Sequence, residues 1–94
     1  MIKTTEAAQE AGKVHGIEVA ELCVSQVSAG GMPDTDEAFA AVLARHIGSG
    51  ARALEGWGMP DHLVQIWMDA AVEAGVARLR ELSRITNQPK RSEH

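Results

Sequence analysis

The residues able to do chemistry are few: four histidines, one cysteine and scattered carboxylates. His46 is the most suggestive, because it falls inside the apolar stripe Phe39, Val42, Leu43, Ile47, where an imidazole needs a partner. The ordinary explanation is a buried or interface histidine bonded to backbone or carboxylate. Catalysis or metal binding needs several convergent groups, and His15, His62 and His94 do not stand three or four residues from His46. Cys23 lies on the apolar face of a helical pattern with no activating motif beside it, so it reads as a small core residue. Being solitary, it forms no intramolecular disulfide and no multi-cysteine zinc site. Gly48-Ser49-Gly50 lacks the Lys-Ser/Thr that follows a phosphate loop, and no strand precedes it. No catalytic residue, metal site or cofactor is expected, and the chain reads as a non-enzyme.

The elements around these residues are announced by a repeat. Gly-Met-Pro-Asp occurs at Gly31–Asp34 and again at Gly58–Asp61, each time before an alanine-rich, apolar-periodic stretch. Proline presets φ for a first helical turn and aspartate complements the positive end of the helix dipole, so both copies read as helix starts. The expected fold is all-α: a small bundle of three to four helices, about 5–28, 35–47, 51–57 and 60–86, forming one domain over 1–86 with a mobile tail at 87–94.

Thr4 or Thr5 can cap the first helix, and Gly30 or Gly31 can take the left-handed conformation that ends it. Gly12 and Gly16 weaken it by about 1 kcal/mol each relative to alanine, so a break near Gly16 is one outcome. Yet Ala8, Gly12, Gly16 and Ala20 fall four apart, a smooth ridge that lets another helix come close. Asp34 and Glu37 are spaced as a capping pair for the second helix, with Asp34, Thr35 and Asp36 all eligible as the cap. Phe39, Val42, Leu43, Ile47, Leu54 and Trp57 keep helical phase across Gly48-Ser49-Gly50. Two glycines and a serine in a row end helices more often than they extend them, so a hinge is expected there.

The third helix carries two apolar stripes. Leu63, Ile66, Trp67, Ala70 and Ala74 occupy one side; Met68, Val72, Gly75, Val76, Leu79 and Leu82 are rotated from it. A helix apolar over so wide an arc is surrounded by partners. Two preceding helices cannot cover both stripes, so Met68, Val72, Val76, Leu79 and Leu82 are the expected subunit interface of a homodimer.

The net charge of −4 argues against non-specific nucleic-acid binding. No apolar run spans a bilayer and no signal pattern opens the chain, which points to a soluble, cytoplasmic protein. The leading expectation is a non-enzymatic helical protein that binds another macromolecule, above all a protein, as inhibitor, adaptor or regulator. By size and composition this resembles the small acidic proteins that phages and mobile elements direct at host machinery. Glu18, Glu21, Arg78, Arg80 and Arg84 are its candidate partner contacts. The runner-up is a nucleic-acid-binding transcriptional regulator using the basic end, where Lys90 and Arg91 join the arginines. A third reading is a small-ligand pocket among His46, Trp57 and Trp67.

Overall fold

The computed structural model describes residues 3–91, with side chains described through residue 82. The described residues form three helices: α1 (Thr5–Ser28), α2 (Asp36–Gly56) and α3 (Asp61–Arg91). Among the described residues no helix is long and apolar enough to cross a membrane. The third helix continues to Arg91, past the end expected near Thr86; the rest of the expected tail, 92–94, lies outside the described residues.

Local chemistry sets the ends. The Thr4 hydroxyl accepts from the Ala7 N–H at 3.1 Å and the Thr35 hydroxyl from the Ala38 N–H at 3.1 Å. Thr35, not Asp34, is therefore the cap of α2, with Asp36 and Glu37 in the first turn beside the positive dipole end. At the other end of α1, Gly30 takes φ +79°, and the Gly31 N–H reaches back to the Gln26 carbonyl at 2.8 Å. Gly58 ends α2 in the same manner, with φ +93° and a Met59 N–H bond to the Leu54 carbonyl at 3.0 Å. The two Gly-Met-Pro-Asp copies therefore differ in role. Pro60 stands at the helix boundary, its carbonyl accepting from Leu63 and Val64, whereas Pro33 lies in the connection before the Thr35 cap.

The bundle runs up, down, up. Gly12 lies against Trp67 and Ala70, and Gly16 against Ala71 and Gly75, so residue numbers rise together and α1 and α3 are parallel. Leu43 of α2 meets Gly75 and Gly50 meets Trp67, so α2 returns antiparallel between the same elements. The α1–α3 seam is the principal contact of the fold. It is built on the ridge of small residues: Ala8, Gly12, Gly16 and Ala20 are all buried. A Cβ on Gly12 would collide with the Trp67 carbonyl, and one on Gly16 with the Ala71 carbonyl. Glycine is the only residue that lets these backbones meet, and its Cα–H groups point at the facing oxygens in the manner of weak hydrogen bonds. α1 is accordingly unbroken at Gly16, since close packing outweighs the propensity cost.

α2 is also unbroken, which corrects the expected hinge at Gly48–Gly50. Gly50 has helical conformation and faces the Trp67 ring; Gly48 faces open space. Two glycines cost a helix about 2 kcal/mol of propensity. Leu43, Ile47 and Ala51 flank them in phase, and all three are buried; full burial of one leucine or isoleucine alone contributes about 1.5–3 kcal/mol. Packing on both sides of the glycines therefore decides the outcome.

Candidate interaction surface

Trp67 is the hub of the core. It is 5% exposed, its six-membered ring lies over Gly50, its carbonyl faces Gly12, and its ring system stands 4.9 Å from that of His15, tilted by 36°. The three helices meet at this side chain. His15, to which the sequence assigned no role, contributes its ring to the hub, and its buried Nε2 has no hydrogen-bond partner. The signal for it was its place beside Gly12 and Gly16 on the buried side of α1. Cys23 is fully buried, and desolvation pushes its thiol pKa up, the opposite of what a nucleophile requires. Among the described residues no cluster of histidine, cysteine or carboxylate groups is suited to a metal ion.

The expected pocket of His46, Trp57 and Trp67 is divided instead of gathered. Trp67 is consumed by the core, Trp57 forms the C-cap of α2 and is 70% exposed, and His46 is half-buried. Trp57 stands just past the last turn of α2, seven residues beyond Gly50, the position that meets the Trp67 ring. An open groove of about 590 Å³ lies elsewhere, between α1 and α3, lined by Glu6, Glu10, Lys13, Ile66, Asp69 and Glu73 among others. Four carboxylates face one lysine there, so the groove is acidic.

The expected partner contacts separate into satisfied and free. Arg78 donates from Nε and Nη2 to Glu21 at 3.2 and 3.1 Å, and from Nη1 to Glu81 at 3.1 Å. These hydrogen bonds, first to Glu81 and then to Glu21, raise the guanidinium pKa further above its ordinary value. Glu21 and Arg78 thus clamp α1 to α3 and satisfy each other. Glu18 and Arg80 are exposed. Arg84 falls beyond the described side chains.

The stripe Met68, Val72, Val76, Leu79, Leu82 is not a bare seam. Met68, Val76 and Leu79 are half-buried and pack on the core, Leu82 is half-buried, and Val72 is 47% exposed. The preceding helices are expected to cover part of this side, and Met68, Val76 and Leu79 are the part that packs on the core. What remains is a shared edge. Leu43 and Gly50 face α3, so at 100° per residue the next positions outward on α2 carry Phe39, Val42, His46 and finally Trp57. The outer positions of α3 beside them carry Met68, Val72, Val76 and Leu79. Phe39 and Val42 are likewise half-buried. The α2–α3 edge therefore carries an apolar strip of Phe39, Val42, Met68, Val72, Val76 and Leu79 with His46 within it, and Trp57 and Val72 are among the large apolar side chains most open to solvent.

No protein-family model, no curated protein and no solved structure matches this chain.

Proposed function

We propose that this is a non-enzymatic interaction protein that binds another protein through the α2–α3 edge, acting as an inhibitor, adaptor or regulator. The observation that carries the reading is the apolar strip on that edge, where half-buried Phe39, Val42, Met68 and Val76 stand beside the exposed Val72, with the exposed Trp57 past the far end of α2. Solvent-facing tryptophan and valine beside half-buried aliphatics are the composition of an interface centre, and tryptophan ranks among the residues that contribute most to binding. The scaffold beneath is held by backbone contacts at Gly12 and Gly16, so the edge is presented with little freedom to lose on association. The raised Cys23 thiol pKa and the engagement of Arg78 by two carboxylates fit neither covalent catalysis nor phosphate recognition as well.

The test is capture from an extract of the source organism with the immobilised protein as bait. Val72→Glu and Trp57→Ala should lose the captured protein, and Glu10→Lys, in the acidic groove, should retain it. Equal capture by all three would remove the edge from consideration. Recovery of nuclease-sensitive material in place of protein would favour a nucleic-acid regulator.

A further inference from the structure

We infer that the protein seated on this edge is a second copy of the chain, docked antiparallel about a two-fold axis, with Asp69 of each copy opposite Arg80 of the other. The inference rests on the edge being an interface and adds its occupant and register.

Both residues are exposed. They are three helical turns apart, so at 100° per residue they project from nearly the same side of α3, flanking the Val72–Val76 strip on the side away from α2. Asp69 accepts one hydrogen bond, from Gln65 Nε2 at 2.9 Å. Arg80 has no ion pair among the described residues, whereas Arg78 is engaged twice. Midway between Asp69 and Arg80 lie Ala74 and Gly75, and Val72 and Val76 bracket that midpoint.

A two-fold axis through the midpoint, perpendicular to α3, brings the height of residue 69 in one copy to that of residue 80 in the other. It keeps both on the same flank of the seam. Two reciprocal Asp69–Arg80 pairs result, with the valines facing valines between them. Glu73, on the same acidic wall as Asp69, adds negative potential where the partner's arginine arrives. A parallel pairing about an axis along the seam would carry the partner's Asp69 and Arg80 to the opposite flank, so neither reciprocal pair would form. Apolar contact supplies the affinity; the charges choose the register.

The experiment is sedimentation velocity on the full chain from micromolar to near-millimolar concentration, with charge reversals and circular dichroism to check folding. Wild type should sediment at twice the monomer mass. Asp69→Arg and Arg80→Asp should each weaken the dimer by roughly tenfold or more, and the two together in one chain should restore it. A wild-type protein monomeric throughout overturns the inference. So does a dimer indifferent to the single reversals, or one that the double reversal fails to restore. These failures are separable from failure of the edge itself: a monomer whose Val72→Glu variant still loses the captured protein keeps the edge and discards the second copy.

Discussion

Gly50 lies directly beneath the indole of Trp67: a Cβ at position 50 would stand 2.6 Å from ring carbon Cη2. The ring is buried and cannot swing aside, so Gly50→Ala should destabilise the fold by about 1–3 kcal/mol through overpacking. Gly48, two residues earlier on the same helix, has no atom within 4 Å of its would-be Cβ. Gly48→Ala should stabilise by up to about 1 kcal/mol through helix propensity and reduced unfolded-state entropy. Urea titration of the two single variants gives the comparison. Equal shifts of the same sign would mean that α2 is not continuous at this point.

The two tryptophans should behave as opposites. Trp67→Ala removes the hub and should cost about 3–5 kcal/mol. Trp57→Ala, at a side chain 70% exposed, should change stability by no more than about 0.5 kcal/mol. Fluorescence offers an independent check: acrylamide should quench Trp57 efficiently and Trp67 weakly in the corresponding single-tryptophan proteins.

Gly12→Ala and Gly16→Ala both drive a methyl group into facing backbone. Backbone cannot rotate away as a side chain can, so each should cost about 3 kcal/mol or more, and separation of α1 from α3 should accompany the loss. A melting temperature unchanged in either variant would contradict the close approach of the two helices.

Cys23 should react with a water-soluble disulfide reagent only as fast as the protein unfolds, because the thiol is buried and its pKa is raised by desolvation. The sign of the linked pH effect follows. The fold favours the neutral thiol, so this contribution is intact below the unfolded-state thiol pKa and is lost as pH rises through the higher folded-state value. Stability of the wild type should therefore fall across that alkaline window more than that of Cys23→Ala, as read by denaturant midpoints at several pH values.

Capping at Thr4, the left-handed glycine after α1 and the small-residue ridge Ala8, Gly12, Gly16, Ala20 were all legible in the sequence. Each rests on local geometry or on helical spacing, which one chain segment carries by itself. Continuity through Gly48–Gly50 was not legible, because the partner that makes Gly50 useful is Trp67, seventeen positions away and on another helix. The division of His46, Trp57 and Trp67 was not legible either, because phase alone does not show that Trp57 falls past the last turn of α2 as its C-cap. The stripe on α3 was legible as apolar, but how much of it packs on the core depends on neighbours from other helices that spacing within α3 does not reveal. His15 gives no signal through its chemistry, because its place in the hub comes from its phase beside Gly12 and Gly16.

The parallel alignment of α1 and α3 has a mechanical meaning. The start of α1 and the end of α3 lie at opposite ends of a body 53 Å long. Tension applied between them would slide α1 along α3, not peel it away. The backbone contacts at Gly12 and Gly16, with the Glu21–Arg78 clamp above them, would then bear the load together. In an assembly that pulls on its ends, this small bundle would act as a shear-loaded strut whose resistance is set by the seam between its first and last helices.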